Sequence, residues 1–378
     1  MQKKGWVPNM AKSKVYFTNF RTTPDENTQQ KLARLMASAG MDRIDFQDKY
    51  VAIKIHFGEP GNLAFLRPNF ARTVVDFVKS CGGKPFLTDC NTLYVGGRKN
   101  ALDHLDSANQ NGFFPMSTGC QLLIADGLKG TDETLVPVAG GKYVKEAKIG
   151  RAIMDADIVI SLNHFKCHEM TAFGGAIKNL GMGSGSRAGK MEMHSAGKPW
   201  VYEDGCVGCG NCQRICAHGA PQLDGGKAVI DHDKCVGCGR CIGVCPMDAV
   251  RPASDESINN LSYKMAEYAK AVVDGRPQFH ITVANAISPN CDCHAESDMP
   301  IVPDIGMFAS FDCVAIDRAS VDAVNRQQRL PGSWVFDQGD PSIADNLMAA
   351  HPNTDWRPIF QYAKELGLGS DEYELVEI

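Results

Sequence analysis

Residues 206–245 read CVGCGNCQRICAHGAPQLDGGKAVIDHDKCVGCGRCIGVC. Cys206, Cys209, Cys212 and Cys216 fall in a C-x2-C-x2-C-x3-C frame. Cys235, Cys238, Cys241 and Cys245 repeat it, and Pro246 follows. Three cysteines spaced two residues apart wrap a tight loop around one iron–sulfur cube, so three thiolates reach three irons. The fourth cysteine lies too far along the chain to finish the same cube and crosses to the other. The spacing therefore assigns cluster A to Cys206, Cys209, Cys212 and Cys245, and cluster B to Cys235, Cys238, Cys241 and Cys216. Gly208, Gly210, Gly237 and Gly239 lie between ligands, where the lack of a Cβ lets backbone N–H groups approach the sulfurs. Zinc knuckles also use C-x2-C pairs, but two pairs per ion leave no reason for the third and fourth cysteines of each frame.

Over roughly residues 200–252 this stretch resembles the bacterial-type ferredoxin domain that carries two 4Fe-4S clusters. One position departs from that pattern: Ala217 stands where a proline usually follows the fourth cysteine.

The 378 residues suffice for one large domain plus a small one. A net charge of −5 and the lack of any basic block interleaved with aromatics argue against nucleic acid as a partner. No run approaches the ~18 apolar residues of a membrane span. The start, MQKKGW, has no apolar core of a secretory signal. Met10 opens a more ordinary beginning, so residues 1–9 read as a leader or a start-site artefact. Of fifteen cysteines, eight belong to the frames and seven are scattered singly. That distribution fits a reducing cytoplasm.

Before the cysteine frames, strands and helices alternate. Strands are expected at 15–19, 51–57, 85–90, 121–126 and 156–162, with a hairpin at 133–148. Thr22-Thr23-Pro24-Asp25 is a helix-start signal for the stripe Leu32, Leu35, Met36. Further helices are expected over Pro68–Ser80 and near 97–109. After the frames, Ile258, Leu261, Met265 and Val272 mark a helix ending at Gly275, followed by strands at 280–286 and 305–309. Asp312 is the expected N-cap of a helix to about Asn325, and Trp356, Ile359, Tyr362 and Leu366 mark a last helix. This alternation predicts an α/β fold: a mostly parallel sheet with helices on both faces, interrupted by a small α+β ferredoxin-like two-cluster domain. The expected division is 12–199 and 253–378 for the α/β domain, with 200–252 inserted.

Ligands of open parallel sheets bind outside the carboxyl ends of the strands. Six segments here deliver polar residues to such ends: His56 and Glu59; Asp89 and Asn91; Asp126; Asn163, His164, Lys166, Cys167 and His168; Asn285, Cys291, Asp292, Cys293 and His294; and Asp312. Single Asp and Asn residues at strand ends also serve as turn and cap residues; two histidines and a lysine within six residues are not what a turn requires. Lys54 and His56 share one face of their strand. That face is either wet, at a sheet edge, or turned into a functional cavity. Catalytic candidates are His56, His164, Lys166, His168 and Lys178.

Residues 174–190, GGAIKNLGMGSGSRAGK, fail the Walker A frame. Successive N–H groups with cations still cradle anions, so Gly174, Gly175, Lys178, Asn179, Arg187 and Lys190 form a candidate anion or cofactor loop. The plain alternative is a flexible connector. Cys291 and Cys293 are candidate ligands of a further metal, with Cys167 or His168; a buried structural pair is the other reading. Cys81, Cys90, Cys120 and Cys313 read as packing. No G-x-G-x-x-G follows a strand, so no nucleotide or flavin site is expected.

KIHFGE (54–59), DCNTLYVGGR (89–98), NHFKCHEMTAFGGAIKNLGMG (163–183) and CDC (291–293) together resemble the DUF362 family of iron–sulfur-centre proteins over roughly residues 12–330. The resemblance implies a cluster-bearing bacterial or archaeal protein and supplies no substrate. In this family a glycine is expected at the place of Cys167, so a ligand role for that cysteine does not generalise. Three functions stay open: an oxidoreductase passing electrons between two 4Fe-4S clusters and a site at the sheet edge, with a small-molecule substrate; an electron carrier or subunit docking on a redox partner protein; and a metal-handling or sensor protein using the Cys291/Cys293 loop.

Overall fold

A computed structural model describes residues 12–94, 96–194, 198–252 and 258–378. The expectation about residues 1–9 and the start at Met10 concerns residues outside these. Eight strands make the main sheet: β1 (Ser13–Asn19), β2 (Tyr50–Lys54), β3 (Lys84–Asp89), β4 (Leu122–Ile124), β5 (Ile158–His164), β6 (Gln278–Ala284), β7 (Gly306–Ser310) and β8 (Tyr373–Glu377). Their spatial order is β8-β1-β7-β6-β5-β2-β3-β4. Five neighbouring pairs are parallel, and β7 alone runs against both β1 and β6. The fold is α/β with a mostly parallel sheet, as the alternation predicts.

The longer helices are α1 (Thr28–Ser38), α2 (Pro68–Ser80), α3 (Ala101–Gln110), α4 (Ala176–Ser184), α5 (Arg187–His194), α6 (Ile258–Val273), α7 (Cys313–Asn325) and α8 (Arg357–Leu366). Strand periodicity sorts side chains onto two faces. Ile53, Leu87, Ile160, Leu162, Ile281 and Met307 meet α1 and α2 in one core. Ala52, Val159, Ala284 and Phe308 meet α4, α6, α7 and α8 in the other. Helices therefore cover both faces.

Three expectations need correction. The first helix begins at Thr28, not near Pro24, because Asn27 and Gln30 form a reciprocal capping box: Asn27 Oδ1 accepts from Gln30 N (3.0 Å) and Gln30 Oε1 from Asn27 N (2.9 Å). Residues 174–190 are not a loop but mostly α4 and α5, both largely buried. The reversal of β7 carries Ser310 beside His280, at the start of β6. Asp312 therefore lies at the opposite edge of the sheet from the other strand-end residues. It caps α7 and also accepts from Ser13 Oγ (2.7 Å) and Ser370 N (2.8 Å).

Between α5 and α6 the cysteine-rich stretch contains two antiparallel strand pairs, one of them a hairpin. Pro199–Val201 pairs antiparallel with Val250–Pro252, and Pro221–Asp224 with Lys227–Ile230. Two short helices, Asn211–Ile215 and Arg240–Gly243, carry cysteines. Cys212, Ala228, Cys241, Ile242 and Val250 pack on Leu93 and Met191 of the α/β part in a small third core.

Candidate functional site

Connections from β2 lead to β3 on one side, and those from β5 lead to β6 on the other. The sheet order thus reverses between β2 and β5. A crevice opens outside the carboxyl ends of strands at such a switch point. Here it is a narrow polar pit of about 40 Å³ lined by Lys54, His56, Asp89, Arg98, His164, Lys166, Lys178, Asn179 and Lys190, among others. β2 is a central strand, so the polar face of Lys54 and His56 is turned into a cavity and not toward an edge.

Charge pairing is dense in the pit. Lys54 Nζ lies 2.8 Å from Asp89 Oδ1 and donates to Asn179 Oδ1 at 2.7 Å. Burial alone would raise the Asp89 carboxyl, but Lys54 and His104 outweigh it and hold it well below the usual carboxylate range. Arg98 meets Glu59 Oε2 at 2.6 Å and His56 Nε2 at 2.9 Å. Its Nη2, buried, has no hydrogen-bond partner among the described residues. Burial, aided by Arg98, pushes His56 well below its ordinary value, so this ring is neutral.

His164 does not face a ligand with a free nitrogen. Nδ1 lies 2.8 Å from Asp292 Oδ1 and Nε2 lies 2.7 Å from the Asn285 carbonyl. Lys166 Nζ sits 3.3 Å from Asp292 Oδ2. These two residues thus anchor the loop that carries Cys291 and Cys293. Both ring nitrogens of His164 are occupied, so in this structure it clamps the loop to the strand end.

Beyond the pit lies a wider cleft of about 470 Å³. Tyr94, Lys178, Met182 and Cys293 line both spaces. His168, Glu169, His194, Leu261, Met265, His294 and Pro252 complete much of the cleft. Burial, followed by His168 and Lys178, lowers His194 to about 4. Against the raising effect of burial, His168 and His294 bring Glu169 down to about 2. The donors of His168, Cys291 and Cys293 lie within 4.8 Å of one another, as do those of Glu169, Cys293 and His294. Cys167, one residue before His168, points into the apolar core and belongs to neither group.

The candidate anion loop is split by the structure. Gly175, Lys178, Asn179 and Lys190 line the pit, and Gly174 packs on Lys166 and Lys178. The N-terminus of α4 is not open to an external anion, because Asp317 accepts from Ala176 N (2.6 Å) and Ile177 N (2.8 Å). Arg187 leaves the pit altogether: it donates to the Lys99 carbonyl and packs against Gly239 and Gly243 of the cysteine-rich module. Asp126 accepts from Asn91 N and Nδ2 and serves the turn there. Cys90, read as packing, lines the pit; Cys120 and Cys313 are buried away from it. Arg98, Tyr94 and His194 were not singled out from the sequence. Arg98 closes the YVGGR run after β3, and no spacing in the sequence marks it.

No two cysteines are joined in a disulfide among the described residues. One small cavity is lined by Cys206, Cys209, Cys212 and Cys245, and a second by Cys216, Cys235, Cys238 and Cys241. Ala228 N donates to Cys206 Sγ and Ala249 N to Cys245 Sγ, both at 3.3 Å. Gly208, Gly210, Gly237 and Gly239 all have φ between +66° and +72°, where a side chain would be strained. Four soft sulfur donors per cavity, with N–H groups aimed at sulfur in the first, suit an iron–sulfur cube.

Similarity to known proteins is limited in extent. A stretch of 139 residues is 28% identical to a thylakoid-associated protein of Synechocystis sp., covering 35% of this chain and 36% of that relative. The chain thus spans about a third of the curated relative it matches. Among solved structures, the lactate racemase apoprotein of Thermoanaerobacterium thermosaccharolyticum aligns at TM-score 0.36 and 11% identity, over 68% of this chain and 45% of that one. A Thermotoga maritima protein aligns at 0.41 and 12%, over 79% and 57%. No helix among the described residues is long and apolar enough to cross a membrane. Residues 51–322 match the family described as a domain of unknown function, DUF362, and on that match the chain belongs to the DUF362 family.

Proposed function

We propose that this chain is an iron–sulfur redox protein: two 4Fe-4S clusters exchange electrons with a ligand held in the pit and cleft at the carboxyl edge of the sheet, as in an oxidoreductase. The observation that carries this reading is the sorting of eight cysteines into two four-cysteine cavities, Cys206/Cys209/Cys212/Cys245 and Cys216/Cys235/Cys238/Cys241. Such clusters supply one-electron transfer. Tyr94 supports a link between module and site, because it packs on the module's small core and lines both pit and cleft. Five cations line the pit (Lys54, Arg98, Lys166, Lys178, Lys190), of which Lys54, Arg98 and Lys166 are paired with Asp89, Glu59 and Asp292. With the unpartnered Arg98 Nη2, they favour a small-molecule substrate with an anionic group. A reducing compartment, the cytoplasm, suits fifteen cysteines with no disulfide among them.

Purification without oxygen tests this, with iron, acid-labile sulfide and other metals counted per chain. Two cubes give about eight irons and eight sulfides. Zinc without sulfide overturns the reading. A second reading, a carrier docking on a redox partner protein, draws on the apolar surface beside the cysteines: Val207, Val236 and Met247 are 61%, 60% and 49% exposed. Stable capture of a protein partner, with no small molecule bound in the pit, favours it.

A further inference from the structure

We propose that Cys291 and Cys293 form a redox-active dithiol that exchanges with low-molecular-weight disulfides entering the cleft. The couple belongs to the site described above, but its chemistry needs no cluster.

The loop geometry places both sulfurs together. Asp292, between them, is pinned on the other side by His164 and Lys166, so the two cysteines share one face. Cys291 is fully buried, and its Sγ accepts from Lys178 Nζ at 3.4 Å. Cys293 is partly exposed and lines both pit and cleft. One sulfur is thus reachable and the other is held behind it by a buried ammonium, which is the division of labour between an attacking and a resolving thiol.

His168 decides between this and a metal. Its Nδ1 accepts from Met170 N (3.1 Å) and Thr171 N (3.3 Å). The ring's lone pair is therefore spent on backbone amides, and the remaining N–H at Nε2 lies between the Cys291 sulfur and Glu169 Oε1, the latter at 3.7 Å. Histidine ligands do the reverse: they present the lone pair to the metal and donate the other N–H to an oxygen. The Lys178 ammonium, donating to Cys291 Sγ at 3.4 Å, favours the inner sulfur as the thiolate of the pair.

The exchange balances without an outside reductant. Cys293 attacks a disulfide R–S–S–R′ as its proton passes to the Cys291 thiolate; the Cys293–S–S–R bond forms and R′S⁻ leaves. That thiolate takes the proton back from Cys291 and departs as R′SH. Cys291 then attacks the Cys293 sulfur, the Cys291–Cys293 bond forms, and RS⁻ is released.

The test treats the full chain, purified without oxygen, with oxidised glutathione, then traps thiols by acid and alkylation and reads the peptide containing both cysteines by mass spectrometry. Wild type is expected to lose two hydrogens across Cys291 and Cys293, with little glutathione retained. Cys291→Ser should stop at about one glutathione on Cys293, formed more slowly because the proton-accepting thiolate is gone, and retained because the resolving step is gone too. Lys178→Met should slow disulfide formation about tenfold at neutral pH by withdrawing the ammonium from the inner thiolate. The proposal is overturned if both cysteines stay reduced in every mixture of oxidised and reduced glutathione. It is equally overturned if one metal ion per chain protects both until a chelator removes it. Iron and sulfide counted in the same samples report on the clusters separately, so either reading can fail alone.

Discussion

Lys54 Nζ and Asp89 Oδ1 meet at 2.8 Å with side chains 1% and 4% exposed, at the ends of two adjacent parallel strands. Breaking such a pair strands one charge in the interior. Lys54→Met or Asp89→Asn alone should cost about 3–5 kcal/mol. Replacing both with apolar residues should restore most of that stability while abolishing ligand binding in the pit. Denaturant unfolding of the singles and the double, beside a binding assay, separates the two effects; equal losses in singles and double would refute the pairing argument.

Gly181 lies in α4 where that helix crosses α6, and a Cβ there would overlap the Met265 carbonyl oxygen. Backbone cannot yield as a side-chain tip does. Gly181→Ala, which raises helix propensity by up to ~1 kcal/mol in isolation, should instead lower stability by about 1–3 kcal/mol through overpacking. A rise in the unfolding midpoint would show that the helices can separate.

Burial lowers His280 to about 3 from an ordinary 6.5, and the ring sits between Ser161 Oγ (2.8 Å) and Gln278 Oε1 (2.9 Å). Below 6.5 the unfolded chain binds a proton that the folded chain refuses until about 3. The unfolded state holds more protons in that window, so stability is full above 6.5 and falls as pH drops. His280→Gln should make stability depend less steeply on pH between 4 and 6, by about one proton. Denaturation series at several pH values, wild type against variant, give the difference directly; parallel curves would contradict it.

Asp312 ties Ser13, Ser370 and the first turn of α7 together at the edge of the sheet away from the pit. Asp312→Ala should cost about 1–2 kcal/mol as a lost cap and leave iron content and the reactivity of Cys293 unchanged. A change in either would mean that the reversed strand communicates with the distant crevice.

The sheet was legible because buried parallel strands such as ADIVISL announce themselves as apolar runs. The candidate site was legible where polar residues follow those runs directly, as at Asp89 and His164. Two things were hidden. The direction of β7 depends on the path of the loop before it, and no periodicity records that; Asp312 was accordingly assigned to the wrong edge. Glycines in 174–190 look like a flexible loop, yet Gly181 is small because another helix passes there. Arg98 escaped notice because a lone arginine after glycines has no spacing to mark it; only the fold brings it to His56 and Glu59.

Pro199–Val201 and Val250–Pro252 lie hydrogen-bonded side by side where the cysteine-rich module leaves and rejoins the α/β part. The two ends of the module thus meet. Its gain or removal by recombination would leave the strand order of the main sheet intact. Chains of this kind lacking the eight cysteines should therefore keep the same host fold and the same crevice, and would isolate what the host does without the module.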